Sequence, residues 1–197
     1  MEQLLPPAIK QKSGYEFFLN GERDINLCII DFWRWALSNL TSCVTQKLFA
    51  EFIVAAALNR HTDVRNENDI YHLETIGGKK IEVFSSAYIQ TWSHNGLPNI
   101  SFTLNPGFDL SVDSPLQSSE RLHLIDILIF CLLHHRNEHT LNPLNLSQWT
   151  FFVINSHHFK KPSGEKKSIS LNKLKQLNPI VCGFENLRRI IESVASE

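Results

Sequence analysis

Two short runs of polar residues lie close together in the sequence and carry side chains that could do chemistry. His72 and Glu74 stand two positions apart in the first run, and Lys80 and Glu82 stand two positions apart in the second. Residues two apart on a strand point to the same face of a sheet, so each pair is predicted to share a face. Carboxylate, imidazole and ammonium groups together can bind a divalent cation and move protons at a hydrolytic site.

The two runs are predicted to be neighbouring strands. Residues 70–76 and 79–86 are rich in strand-forming types, and Gly77 and Gly78 lie between them. A two-residue Gly-Gly connection supplies the positive φ values that a tight hairpin needs. An antiparallel hairpin would therefore bring both polar pairs into one region of the sheet.

Two helices are predicted upstream of this hairpin. Residues 24–40 and 45–58 carry apolar side chains at steps of three and four, which is the helical period. The second segment contains Glu51, with Lys47 one turn earlier on the same face. This helix is therefore the element expected to add a carboxylate to the polar region.

The rest of the chain predicts more strands and two closing helices. Residues 100–104 and 148–155 are predicted strands, and the apolar run 125–133 is typical of a central strand buried on both faces. Residues 171–177 and 184–194 are predicted helices. The order of elements indicates an α/β (α+β) fold, in which a mixed central sheet is flanked by helices.

The first predicted helix contains two tryptophans that cannot both face the core. Trp33 and Trp35 are two positions apart, so they diverge by about 200° around a helix axis. One of them is predicted to be exposed, where a large aromatic side chain marks an interface.

The second strand of the hairpin begins a string that resembles a known family. Residues 81–92 read IEVFSSAYIQTW, which is similar to the pattern Ile-Glu-Val-Lys-Ser-Ser-Ala-Tyr-Leu-Gln-Ser-Trp. That pattern belongs to uncharacterised bacterial proteins of the PD-(D/E)XK (restriction endonuclease-like) nuclease superfamily. The Ala-Glu-Phe at 50–52 resembles the family's helical motif. The resemblance implies a single domain over residues 1–197 with a restriction-endonuclease-like core at about 20–180.

The resemblance implies the site of a metal-dependent DNA endonuclease, which hydrolyses phosphodiesters. Carboxylates in such a site hold Mg²⁺ or Mn²⁺, which neutralises charge on the phosphate and activates water. The family pattern assigns Glu82 and Glu51 to this set, with a lysine at position 84 and an aspartate at position 72. This chain has Phe84 and His72 instead. Phenylalanine cannot donate a proton to water, and histidine prefers softer metals than Mg²⁺.

Neighbouring residues are candidates to replace the two missing groups. Lys80 or Lys47 could supply the ammonium group, and Glu74 could supply a carboxylate. The candidate catalytic set is therefore Glu82, Glu51, His72 and Lys80, and the candidate metal ligands are Glu82, Glu51, His72 and Glu74. Gln90 and Tyr88 are candidate substrate contacts.

One stretch of the chain is clearly basic. Residues 158–175 contain six lysines and a single acidic residue, Glu165. Such a stretch predicts salt-sensitive contact with phosphates. The candidate contacts are Lys160, Lys161, Lys166 and Lys167.

Composition limits the class of protein. The chain has 197 residues, 43% of them hydrophobic, and a net charge of -1, so one packed domain is expected and any DNA-binding surface must be local. Four widely spaced cysteines without a C-x-x-C pair predict free thiols, as in a reducing cytoplasm. Neither a signal peptide nor a membrane span is recognised, so a cytoplasmic protein without a membrane partner is expected.

Two functions from different classes remain open on the sequence. The first is a DNA endonuclease with a rearranged site that uses Mg²⁺ or Mn²⁺. The second is a catalytically inactive relative, without a cofactor, that binds nucleic acid or a protein partner, a second copy of itself included.

Overall fold

The computed structural model describes residues 9–66, 71–91, 96–104, 124–159 and 168–196. Within these residues the fold is mixed α/β, as the sequence predicts. The elements in chain order are β1 (Phe17–Asn20), β2 (Arg23–Cys28), α1 (Ile29–Leu37), α2 (Cys43–Ala57), β3 (Leu73–Glu74), β4 (Lys80–Ala87), β5 (Ser101–Thr103), β6 (Ile127–Leu133), β7 (Trp149–Asn155), β8 (Ser168–Ser170), α3 (Leu171–Gln176), β9 (Ile180–Cys182) and α4 (Phe184–Ala195).

A five-stranded mixed sheet in the order β3-β4-β6-β7-β9 is the centre of the described structure. Strands β4 and β6 run parallel, and the other neighbouring pairs run antiparallel. Every residue of β6 is buried, because strands cover both of its edges and side chains cover both of its faces. The prediction of a central strand in the run 125–133 is therefore confirmed.

Two apolar clusters cover the two faces of this sheet. Helices α2 and α4 pack on one face through residues such as Val54 and Ile191. The small β5–β8 sheet and α3 contribute to the cluster on the other face, through Phe102, Ile169 and Leu174. The closing helices were predicted within one or two residues of their observed ends. The strand predicted at 100–104 forms, but it pairs with β8 outside the main sheet.

Helix α2 lies where the sequence predicts a helix and carries Glu51 at its centre. It begins after Ser42, whose Oγ accepts a hydrogen bond from the Thr45 N–H, and its Ala-rich sequence favours the helical state. The inward face includes Ala50, Val54 and Glu51, whereas Phe52 is half exposed.

The helix predicted at residues 24–40 is wrong in its first half. Residues Arg23–Cys28 form β2, paired with β1 across a turn at Gly21, which has φ +67°. The helix starts only at Ile29, where the Asp31 carboxylate accepts a hydrogen bond from the Cys28 N–H at 2.9 Å. That bond satisfies an amide at the helix start and fixes the boundary between strand and helix.

The hairpin of β3 and β4 is antiparallel, as predicted, but its first strand is only two residues long. Its connection is also longer than the predicted Gly-Gly pair. Thr75 N–H donates to the Lys79 carbonyl at 2.9 Å, and Gly78 N–H donates to the Thr75 carbonyl at 3.0 Å. Only Gly78 of the two glycines has a positive φ, at +80°. A three-residue connection ending in a left-handed residue is typical of this geometry.

Residues 15–37 form an N-terminal arm of β1, β2 and α1. No residue of β1, β2 or α1 is buried. Trp35 is 85% exposed and Trp33 is 36% exposed, which confirms that one tryptophan of the pair faces solvent. All four cysteines of the chain are described and are free thiols. None of the described helices is long and apolar enough to cross a membrane.

Candidate active site

Helix α2 and the edge of β4 bring Glu51, His72 and Glu82 together. Glu51 is 8% exposed and Glu82 is 6% exposed. His72 precedes β3, and its ring lies between the two carboxylates. His72 Nε2 is 3.5 Å from Glu51 Oε1, and His72 Nδ1 is 3.6 Å from Glu82 Oε2. Three of the predicted site residues therefore form one partly buried cluster.

The tautomer of His72 follows from its backbone contact. The Val83 N–H donates a hydrogen bond to His72 Nδ1 at 2.9 Å. Nδ1 is then an acceptor, so the proton of the neutral ring is on Nε2 and points toward Glu51. Among the described residues, β3 pairs only with Lys80 and Ile81 of β4, and the His72 imidazole accepts the Val83 N–H where a longer strand would.

Arg65 completes the cluster, although no pattern in the sequence singled it out. Its Nε donates to Glu51 Oε2 at 2.5 Å, and its Nη2 donates to Glu51 Oε1 at 3.5 Å. The guanidinium group therefore supplies a positive charge to a carboxylate that is nearly buried. Such a pair offsets much of the cost of burying the Glu51 charge.

Phe84 fills apolar core rather than a catalytic cleft. It is 6% exposed, and its ring stacks on Phe130 with centroids 4.9 Å apart and an interplanar angle of 21°. Position 84 is two residues from Glu82 and so lies on the same face of β4. At position 84, however, this face packs against apolar side chains of β5 and β6. No ammonium group stands where the family pattern has its lysine.

The candidate substitutes for the missing groups have other contacts. Lys80 Nζ lies 5.5 Å from the centroid of the Tyr71 ring. The Tyr71 hydroxyl donates to Glu74 Oε2 at 2.8 Å. Glu74 nevertheless lines the same pocket as His72 and Glu51, a cavity of about 440 Å³ that Arg65 also borders. The structure thus brings Glu74 to the rim of the cluster.

Three further predicted residues, Lys47, Gln90 and Tyr88, do not line this pocket. Lys47 and Gln90 line a second pocket of about 250 Å³. The Arg136 guanidinium group lies over the Tyr88 ring, 4.2 Å from the ring centroid, and also donates a hydrogen bond to the Tyr88 hydroxyl at 2.9 Å. Lys160, Lys161, Lys166 and Lys167 lie outside the described residues.

The donor set does not suit Mg²⁺ as it is arranged. Among the described residues, no three His, Cys, Asp or Glu side chains are grouped so that they could hold a metal ion. Glu51 and Glu82 contact opposite nitrogens of His72, and Arg65 donates to both oxygens of Glu51. Mg²⁺ favours a shell of oxygen ligands with near-octahedral geometry, and the cluster in this arrangement does not supply such a shell.

Comparison with known proteins adds no relative to this geometry. The chain matches no model of a protein family, and searches of characterised proteins and of solved structures return no match. The functional argument therefore depends on the residues of this chain.

Proposed function

We propose that this chain is a nuclease-like domain of the PD-(D/E)XK type that binds nucleic acid and has weak or absent Mg²⁺-dependent cleavage. The proposal depends on the cluster of Glu51, Arg65, His72 and Glu82, here called the His72 cluster. In this cluster Glu51 is paired with Arg65, and the ring of His72 lies between Glu51 and Glu82. A metal in an active endonuclease would supply the positive charge that Arg65 supplies here. The position of Phe84 in the core supports the same conclusion.

The nucleic-acid part of the proposal is supported by the basic stretch at 158–175. Because the net charge of the chain is only -1, a local group of lysines can dominate the approach of a phosphate backbone. Binding through several lysines releases counterions and weakens as salt rises.

A metal-dependent DNA endonuclease is the second candidate, and one distance favours it. Glu51 Oε1 and His72 Nε2 are 3.5 Å apart, and a movement of about 0.5 Å would bring them to the ~3 Å that separates neighbouring ligands of an octahedral ion at about 2.0–2.2 Å. This function would require Mg²⁺ or Mn²⁺, loss of the Nε2 proton and release of one Glu51 oxygen from Arg65.

Binding and cleavage measured on the same preparations test both candidates. We expect salt-sensitive binding of a fluorescent DNA duplex, and no plasmid cleavage in Mg²⁺ or Mn²⁺ beyond that of Glu82→Gln. Wild-type cleavage that Glu82→Gln abolishes would establish the endonuclease instead. A protein that neither binds nor cleaves DNA would reject both candidates.

The basic stretch is tested with a fourfold variant in which Lys160, Lys161, Lys166 and Lys167 become Ala. We expect weaker DNA binding and a shallower dependence of affinity on salt, because each phosphate contact adds about one to the slope. Exposed Lys10 and Lys12, changed to Ala together, are the control. Equal affinity of the fourfold variant and wild type would remove this stretch from the interface.

A further inference from the structure

The second pocket, of about 250 Å³, lies between the first turn of α2 and the C-terminal half of β4. Lys47 lines it from the helix, and Ser85 and Ser86 line it from the strand. Lys47 is the only charged side chain among its described lining residues, and none of them is a carboxylate. The pocket therefore favours an anion.

Gln46 gives this pocket a second, independent feature. Gln46 lines the pocket and is only 2% exposed, and its Nε2 atom has no hydrogen-bond partner within the described residues. A buried amide donor without a partner is costly, so natural structures rarely keep one unless something completes it. A ligand with acceptor atoms would complete Gln46.

The helix that carries Gln46 adds to the same preference. Helix α2 has 15 residues, and its first residue, Cys43, lines the pocket. Ser42 Oγ accepts the hydrogen bond of Thr45 N–H, which leaves earlier amides of the first turn to other acceptors. The N-terminal end of a helix carries a partial positive charge and favours anions.

We propose that this pocket binds a phosphate group. A phosphate offers acceptor oxygens and negative charge, and the pocket offers the Gln46 amide, the Lys47 ammonium and the Ser85 and Ser86 hydroxyls. The assignment to a nucleic-acid phosphate rests on the proposed function. Lys47 is one turn of α2 from Glu51, so a nucleic-acid strand bound in this pocket would continue toward the His72 cluster. A small phosphorylated ligand would satisfy the same donors.

Phosphate binding is tested by ³¹P NMR with inorganic phosphate and by fluorescence anisotropy with single-stranded and duplex oligonucleotides. We expect Lys47→Gln and Gln46→Met each to weaken binding about tenfold or more. Gln46→Met should melt at the same temperature as wild type or higher, because it replaces an unsatisfied buried amide with an apolar group. Lys12→Gln, which changes an exposed lysine of the N-terminal region, is the matched control.

The outcomes separate this proposal from the proposed function. Binding of phosphate and oligonucleotide that both variants weaken supports the two together. Binding of inorganic phosphate without oligonucleotide binding supports the pocket and rejects the nucleic-acid function. Oligonucleotide binding that neither Lys47→Gln nor Gln46→Met changes rejects the pocket alone. A lack of phosphate binding by the wild type also rejects it.

The N-terminal arm carries a second inference from a different observation. Ten apolar side chains of residues 15–37 are exposed by 36% or more. They are Tyr15, Phe17, Phe18, Leu19, Ile25, Leu27, Phe32, Trp33, Trp35 and Leu37. With roughly 150–250 Å² for a fully buried aromatic side chain, their exposed fractions amount to roughly 1,000 Å². Trp33 and Trp35 point to opposite sides of α1, so a partner must cover both sides of the arm to reach the roughly 800 Å² that a standard interface takes from each partner.

The elements of the arm are too small to be stable in water without cover. Helix α1 has nine residues, and isolated helices shorter than about 12–15 residues are marginal. A lone two-stranded hairpin is marginal as well. Beyond the ladder of β1 and β2, helix α1 is joined to the segment before it by two backbone bonds, in which Ile29 N–H and Ile30 N–H donate to the carbonyls of Glu16 and Gly14. Something must cover the arm if it keeps this structure.

We infer that a second copy of this chain covers the arm. A covering surface that is needed for folding must be present whenever the chain is made, and a second copy always is. The net charge of -1 opposes association only weakly. A two-fold axis would pair the arm of each copy with the same arm of the other.

Sedimentation equilibrium of the full chain tests this inference. We expect twice the chain mass of 22.6 kDa for wild type, and the single-chain mass for Leu19→Glu with Trp35→Glu. Leu144→Glu, at a position 66% exposed outside the arm, should stay dimeric. A monomeric wild type, or a double variant that remains dimeric, would overturn the inference.

Hydrogen exchange supplies a readout that does not depend on how the charged variant folds. Amides of residues 17–37 in the wild type should lose protection as the protein is diluted and the dimer separates. Amides of β6 should stay protected over the same dilution series. Protection of the arm that does not depend on protein concentration would count against a second copy as its cover.

Discussion

Arg65 Nε lies 2.5 Å from Glu51 Oε2, so the helical carboxylate that the sequence offers as a metal ligand already has a cation as its partner. The Glu51 side chain is 10% exposed, and the Arg65 side chain is 39% exposed. A pair at this depth is screened less than a surface pair but is not fully desolvated. The arrangement explains how an acidic residue can lie among the alanines of α2.

The Glu51–Arg65 pair should be energetically coupled. We expect Arg65→Met to lower the free energy of unfolding by roughly 1–2 kcal/mol, because Glu51 then keeps a charge that is nearly buried. Glu51→Gln combined with Arg65→Met should cost less than the two single changes added together, by about 0.5–1 kcal/mol. Denaturant unfolding of the four proteins measures this cycle. Strictly additive changes would show that the pair contributes nothing.

An exposed ion pair provides the comparison for this cycle. Arg188 Nε lies 2.8 Å from Glu192 Oε1 on α4, with both side chains about half exposed. Because water screens that pair, Arg188→Met should change the free energy of unfolding by about 0.5 kcal/mol or less.

Phe84 should tolerate an apolar change and reject a charged one. Phe84→Lys places an ammonium group against Phe130 in a site that is 6% exposed. We expect it to lower the free energy of unfolding by about 3 kcal/mol or more, from lost packing and the burial of charge. Phe84→Leu should cost about 1 kcal/mol. Thermal and denaturant melts decide this, and a Phe84→Lys protein as stable as wild type would show that position 84 can open into a cleft.

Phe84→Lys is also one of the two substitutions that would restore the residue types of the family pattern. His72→Asp with Phe84→Lys restores both residue types of the family pattern, and we expect it to raise Mg²⁺-dependent cleavage only when the new ammonium group leaves the Phe130 contact and reaches Glu82. Groups that act as a unit are non-additive, so neither change alone should suffice. Activity of the double variant has meaning only when its melt shows a folded protein. A folded double variant without activity would mean that the resemblance does not extend to a latent active site.

Periodicity predicted the elements that are long and buried. Strand β6 and helix α2 were found from their own apolar patterns, because each buries most of its length. Parity correctly placed Glu82 and Phe84 on one strand face. It could not show that Phe84 packs against apolar side chains of β6 while Glu82 does not lie in an apolar cluster, since the residues of β6 are more than 40 positions away in the chain.

Two other features, the Arg65–Glu51 contact and the strand that includes residues 24–28, could not be predicted from local sequence patterns. Arg65 reaches Glu51 across 14 positions from a segment that is neither helix nor strand, so no periodicity marks it. Residues 24–28 carry apolar steps that fit either a strand or the start of a helix. In the structure these residues pair with β1 instead of forming a helix. Asn26 has a left-handed φ of +57°, which a continuous right-handed helix does not contain.

The two glycines of the β3–β4 connection should behave differently. Gly78 has φ +80°, and a Cβ there would meet only ordinary contact with Glu74 Oε1 at 3.7 Å, so the cost of a side chain comes from the backbone. We expect Gly78→Ala to lower the free energy of unfolding by about 1–2 kcal/mol. Gly77→Ala is the matched control. Its φ is not in the left-handed region, a Cβ would meet only Thr75 Oγ1 at 3.9 Å, and its effect should be within about 0.5 kcal/mol. Equal losses in the two variants would contradict this assignment of the turn.

The thiols should differ in reactivity in the order of their burial. Burial raises the pKa of Cys182 to about 11, and burial raises the pKa of Cys131 still further, whereas Cys43 is exposed. The thiolate is the reactive form. A disulfide reagent at pH 8 should therefore label Cys43 rapidly and Cys131 only after unfolding. Rapid labelling of Cys131 in the native protein would show that β6 is not protected.

The raised pKa of Cys182 also predicts a loss of stability at alkaline pH. In the unfolded chain this thiol ionises near its ordinary pKa of about 8.5, whereas in the folded protein it stays protonated up to about pH 11. Between these values the unfolded state binds fewer protons, so the free energy of unfolding falls as pH rises through this window. Cys182→Ser should flatten the decline, because serine does not ionise there, and Cys43→Ser should leave it unchanged. Denaturant melts at half-unit steps across the window measure both slopes. If Cys182→Ser keeps the full slope of the wild type, the decline has another origin, and the Cys182 thiol is not held in its protonated form by burial between β7 and α4.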